Sequence, residues 1–202
     1  LIFGVALFFL VPMLLGYGLE LLIPGENGAW WGNLAEGIAR LGILIGYIWL
    51  IGRLPDIQRV FAYHGAEHKT INAYEAKAEL TPQVVAQHSI EHPRCGTAFL
   101  LTLIVFSVIF FSLLGPLPVG WRFVSRILFI PFIAGVAYEY IRWTARHIQS
   151  PLVKLIVKPN LALQHLTTRE PDLEMLEVSI AAFKAMRSAE TPPKAEEQLV
   201  NL

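Results

Sequence analysis

Cysteine is all but missing from this chain. Cys95 is the single one in 202 residues, so no internal disulfide can form and nothing marks an oxidising compartment. Charge is scarce too. Asp, Glu, Lys and Arg make up 16% of the residues, against about 25% in an ordinary soluble domain. Neither sign is in excess, 16 basic residues meeting 16 acidic ones, which excludes the basic footprint of a nucleic-acid binder. A positive leader is lacking as well: Leu1 opens directly on an apolar run. That start does not fit a signal peptide and is expected to be a trimmed N-terminus already inside a membrane helix. No internal repeat stands out. What is abundant is hydrocarbon, with 54% hydrophobic residues and a mean hydropathy of +0.51.

A helix needs about 20 apolar residues to cross the hydrocarbon core of a bilayer. Four segments reach that length: 1–23, 34–54, 97–115 and 121–141. The expected fold is all-α, a polytopic membrane protein with four transmembrane helices. A cytoplasmic helical hairpin over 55–96 and a C-terminal helical region over 142–189 complete a single integral membrane domain, 1–189, before a disordered tail over 190–202. The basic residues orient it. The connections 24–33 and 116–120 hold no Lys or Arg, whereas 53–96 holds Arg53, Arg59, Lys69, Lys77 and Arg94, and eight more follow Ile141. Basic loops stay in the cytoplasm, so this is expected to be a multi-pass cell-membrane protein with both termini of the chain cytoplasmic. Trp30, Trp31 and Trp121 fall at the opposite interface, where aromatic belts form. In the hairpin, Asp56 is a candidate N-cap for a helix over 57–78, and Thr81-Pro82 opens a second helix. After the last span, "PLVKLIVKPNLALQHLTT" is amphipathic and expected along the membrane surface. Pro171 precedes a final helix with Leu173, Leu176, Ile180 and Phe183 at helical spacing.

The stretch "FAYHGAEHKTINAYE" is unusually polar for such a chain. Residues four apart on a helix share a face, so His64 and His68 are placed to bind one divalent metal, with zinc the expected ion. Glu67 between them completes the H-x-x-E-H order of inverted zinc peptidases, in which the Glu is the general base. Glu75 returns to nearly the same face as a ligand or a support for a His tautomer. Glu139, in "AYEYIRW" at the cytoplasmic end of the last span, is the leading third ligand, weighed against an ordinary ion pair with Arg142 or Arg53. A second cluster, "EHPRCGTAF", carries His92, Arg94 and Cys95 just before the third span. Here Cys95 or His92 completes the metal site, or Cys95 is a nucleophile lowered in pKa by a helix N-terminus, or it is a small apolar packer. A third, "LTTREPD", puts Arg169 beside the last helix, either within a capping segment or orienting an anion.

Taken together, "YHGAEHKTINAYE", "HPRCGT", the Tyr138-Glu139 pair and "LTTREPD" followed by "EVSIAA" resemble the YqhQ-like family of bacterial membrane proteins over about residues 1–185. The resemblance implies a domain of unknown function to which metal-dependent chemistry is ascribed, with no known substrate. It also implies a preceding glycine-rich "GGQAVIEGVM"-like motif that this chain does not include. It marks His64, Glu67, His68, Lys69, Glu75, His92, Arg94, Cys95, Glu139 and the run from Thr167 to Asp172 as motif positions. The resulting expectation is a zinc-dependent hydrolase at the cytoplasmic membrane face. His64, His68 and Glu139 bind the metal, Glu67 is the base, and Lys69, Arg94 and Arg169 hold the anionic part of a small-molecule, lipid or peptide substrate. Two other classes stay open: a Cys95-dependent acyl transferase, and a non-enzymatic scaffold or transporter in which the polar cluster is structural. The bilayer is the expected partner, nucleic acid is excluded, and an oligomer is left open.

Overall fold

An apolar segment in lipid has to satisfy its own backbone N–H and C=O groups, which a helix does. The computed structural model, which describes residues 2–23, 27–114 and 117–190, is helical, with no strand among the described residues. Among the described residues, three helices are long and apolar enough to cross a membrane. They are α3 (Asn27–Ile51) through its segment Trp30–Ile51, α6 (Gly96–Leu113), and α7 (Val119–Arg146) through Val124–Arg146. Ahead of them lie α1 (Ile2–Val5), a π-helical turn Ala6–Leu10, and α2 (Val11–Leu22). The π turn runs directly into Pro12, which has no N–H to continue the ladder. The first expected span is therefore an apolar helix in pieces, shorter than the other three. The start of α3 also differs from the expected 34–54. Trp30 and Trp31 are exposed residues of its first turns rather than of a preceding loop.

The contacts divide the chain into two units: Leu1–Leu54 with Pro93–Thr167, and Pro55–His92 with Thr168–Leu202. In the first unit α2 packs on α3, α3 on α6, and α6 on both α7 and α8 (Pro151–Gln164). Backbones nearly touch where α2 crosses α3. A Cβ on Gly16 would lie 2.6 Å from the Gly32 carbonyl oxygen, and one on Gly32 would lie 2.9 Å from that of Gly16. Such close approach through small residues is how helices associate in lipid. Ile38, Leu100, Ile109, Ile127 and Phe132 stay exposed on the outer faces, as lipid-facing positions do. The amphipathic α8 buries Val153, Val157, Asn160 and Gln164. Asn160 Nδ2 donates to Thr102 Oγ1 of α6 at 3.2 Å, and Leu152, Leu155 and Ile156 remain exposed.

The second unit contains α4 (Pro55–Glu75), the one-turn α5 (Pro82–Val85) and α9 (Leu173–Glu190), packed around Ala66, Ala73, Val85, Leu176 and Ile180. The first helix stops at Glu75 rather than at residue 78. Lys77 turns left-handed at φ 56°, Ala78 N–H donates to Ala73 O at 2.9 Å, and Lys77 N–H donates to Tyr74 O at 2.9 Å. Those two bonds are a Schellman stop. The second hairpin helix is reduced to α5, and an irregular run follows it to Cys95. Asp172 caps α9, its Oδ1 accepting from Met175 N–H at 2.8 Å. The tail expected from residue 190 lies outside the described residues, apart from Glu190 at the end of α9.

Candidate functional site

The α4 helix is polar on one side and packs on the other. Its polar side grips the irregular run that follows α5. Lys69 Nζ donates to Ala86 O at 2.9 Å and to His88 O at 2.8 Å. Asn72 Nδ2 reaches Ser89 O and Glu91 O, both at 2.8 Å. His68 Nδ1 meets Ile90 O at 2.5 Å. Five successive or near-successive carbonyls without helical partners are thus satisfied by three side chains. The grip delivers His92, which is buried, to the same side of α4.

Three imidazoles gather there. The His64 and His68 rings stand 4.4 Å apart, nearly edge to face, and the His68 and His92 rings 5.8 Å apart. The ring nitrogens that His64 and His68 offer lie within 4.8 Å of each other. Glu75 Oε1 is 3.6 Å from His92 Nε2. A carbonyl only accepts, so the contact with Ile90 O makes His68 Nδ1 the N–H and leaves the lone pair on Nε2. Second-sphere carbonyls fix metal-ligating histidines in this way. The donor set fits a borderline-soft divalent cation such as zinc, which takes imidazole nitrogen readily.

The motif residues between and beside the histidines are used differently. Gly65 is the point where the run after Thr168 crosses α4. Arg169 N–H donates to Phe61 O at 3.0 Å, and a Cβ on Gly65 would collide with the Arg169 carbonyl oxygen. Arg169 thus docks through its backbone, while its Nη1 turns to Thr168 O at 2.9 Å. Lys69, expected to hold an anion, is buried. It spends its ammonium on two carbonyls and on Glu170 Oε2 at 3.1 Å. Three N–H bonds meet three acceptors, a structural clamp. Glu67, the expected base, is exposed and borders a groove toward α9 with Tyr63, Thr70, Val178 and Phe183. It lies about 100° around the helix from His68, on the side where Thr70 meets Ser179 and Tyr74 meets Phe183.

Arg94, Cys95 and Glu139 belong to the first unit. Arg94 is exposed. Cys95 is buried at the N-cap of α6, with Sγ 3.2 Å from Thr97 Oγ1. Glu139 is exposed and pairs with Arg142 at 3.4 Å, the ion-pair alternative weighed from the sequence. Asn72 went unnoticed in the sequence, because one Asn in a polar helix gives no signal of the carbonyls it will hold.

Residues 1–189 match the family described as "Protein of unknown function (DUF1385)". The chain is 38% identical over 151 residues to the "Uncharacterized protein YqhQ" of Bacillus subtilis (strain 168), covering 75% of this chain and 48% of that protein. It therefore spans about half the length of that relative. No solved structure matches it. With nearly its whole described length matched, including the histidine helix and the run that crosses it, the chain belongs to the DUF1385 family.

Proposed function

We propose that this is a membrane-embedded, metal-dependent hydrolase whose metal is held by His64 and His68. The observation that carries the reading is the carbonyl of Ile90 on His68 Nδ1, beside a His64 ring one helical turn away. Zinc bound there would supply a Lewis acid and make hydroxide available near neutral pH. His92 with Glu75 3.6 Å from its Nε2 is placed to accept a proton, a task for which Glu67, on the α9 side, is worse aimed. The burial of Cys95 suits a packer better than a freely attacking thiol, which needs access. The substrate proposed is a peptide, amide or ester at the membrane surface, with Arg94 the exposed cation nearest in sequence to the site.

The same reading takes segment 1–23 as a fourth crossing and places the segment 53–96 and the region after Ile141 in the cytoplasm, on the strength of their basic residues. The test is metal analysis of the purified protein after apo preparation and dialysis against zinc. About one equivalent is expected in the wild type. Both His64→Ala and His68→Ala should lose it while keeping their helix content by circular dichroism. Metal well below stoichiometry in the folded wild type would reject the proposal.

A further inference from the structure

Between Glu139 and Glu170 the chain carries no Asp or Glu, yet it carries Arg142, Arg146, Lys154, Lys158 and Arg169. Neither the α4 site nor the packing of the spans accounts for this one-signed run. Arg142 pairs with Glu139, and Arg169 turns to Thr168 O. Arg146, Lys154 and Lys158 are exposed, and no ion pair reaches their side chains among the described residues. All three belong to the first unit, Arg146 at the end of α7 and the two lysines on α8, with residues 147–150 between the helices.

At about 100° per residue, α8 shows three sides. Val153, Val157, Asn160 and Gln164 turn inward and are buried. Leu152, Leu155 and Ile156 turn the other way and are 65%, 62% and 44% exposed. Lys154 and Lys158, one turn apart, share a flank between those sides, about 6 Å from each other. The partner helix sets the depth. Asn160 bonds to Thr102, six residues beyond Gly96 at the start of α6, which is about 9 Å along that helix. The 18 residues of α6 span about 27 Å, close to the hydrocarbon thickness of about 30 Å, so its first turns lie just beneath the headgroups. Interfacial helices sink their apolar face to about 5–10 Å, the same level. Bare aliphatic side chains at that level match acyl chains, and lysine stems are long enough to raise their ammonium groups to the phosphates.

We propose that α8 holds an acidic phospholipid, its phosphate between Lys154 and Lys158 and its acyl chains along Leu152, Leu155 and Ile156. The inference rests on α6 and α7 crossing a bilayer and is independent of a metal at α4. Charge decides the headgroup. A phosphatidylcholine phosphate is neutralised by its own choline, whereas phosphatidylglycerol brings a net negative charge to ammonium groups that no carboxylate of the run offsets. Lysine meets phosphate as a point charge, and each basic residue near an anionic surface contributes about fivefold in affinity.

The experiment uses the purified full chain in a neutral detergent, titrated with phosphatidylglycerol or phosphatidylcholine, with bound lipid counted by native mass spectrometry. Phosphatidylglycerol should bind saturably and about tenfold or more tightly than phosphatidylcholine. Lys154→Gln and Lys158→Gln should each weaken phosphatidylglycerol about fivefold, and the double variant should bring the two lipids together. Lys158→Arg, which keeps the charge, should retain the preference, and Lys77→Gln, on the second unit, should change nothing. Leu155→Ser should weaken both lipids and leave their ratio alone. All five positions are exposed, and helix content by circular dichroism checks that each variant is folded. Equal affinities for the two lipids in the wild type would overturn the proposal. So would a preference that survives the double variant, displacement of phosphatidylglycerol by millimolar inorganic phosphate, or binding indifferent to Leu155→Ser, which would mean that something other than acyl chains, a second copy of the chain included, covers that side of α8.

Discussion

Gly65 shows how much one residue position decides. It sits between His64 and His68 in sequence, and the Arg169 carbonyl occupies the place its Cβ would take. Gly65→Ala should therefore push the 168–170 run off α4. We expect a loss of about 1–3 kcal/mol, the usual cost of overpacking, read as a lowered unfolding midpoint in detergent, with weaker zinc retention beside it. An unchanged midpoint would mean that the run gives way freely. The histidine pair was legible from its four-residue spacing, because helical periodicity is a property of the chain alone. Lys69 was not legible. From sequence it is a cation beside a metal motif, and only the fold shows its ammonium spent on Ala86 O, His88 O and Glu170. Nor was the pairing of Glu36 with Arg126, ninety residues away, which only the packed helices bring together.

At the scale of elements, α4 is the one on which most depends. Its helical course was readable from the Pro55-Asp56 start signal, but the helix begins at Pro55, with Asp56 in its first turn rather than capping a start at residue 57. Its end was missed, because a Schellman stop usually carries glycine and here carries Lys77 at φ 56°. Lys77→Gly should relieve that strained backbone and raise stability by about 0.5–1 kcal/mol, measurable as a higher unfolding midpoint, whereas Lys77→Val should lower it. The second hairpin helix was overestimated for a different reason. Thr81 and Pro82 are good start signals, but the residues after Val85 leave the helix once their carbonyls find acceptable donors on Lys69, Asn72 and His68. A tertiary contact outweighed a local preference there.

For the whole molecule, apolar length and charge asymmetry together predict which surfaces meet which compartment. In a Cys95→Ser background, Trp31→Cys should react with a membrane-impermeant maleimide on intact cells. Lys77→Cys, at an exposed position of the second unit, should react only after permeabilisation. The reverse labelling would invert the topology and move the histidine site to the other side of the membrane. The division into two units had no signature in composition. The chain leaves the first unit at Leu54, returns at Pro93, and leaves again after Thr167, and such interleaving is invisible to a reading made along one dimension.

By itself the sequence determined that the backbone would be helical and that long stretches of it are apolar enough to cross a membrane, because hydropathy and segment length act locally. It also placed two histidines on one helical face, because the pitch of the helix does the same. Tertiary structure alone decided which groups converge. His92 was carried to His68 by a run of backbone whose carbonyls needed donors. Arg126 was carried to Glu36 by a buried carboxylate that needed cations beside it. Unsatisfied polar groups find their partners across the fold rather than along the chain, and that search is what the order of residues does not record.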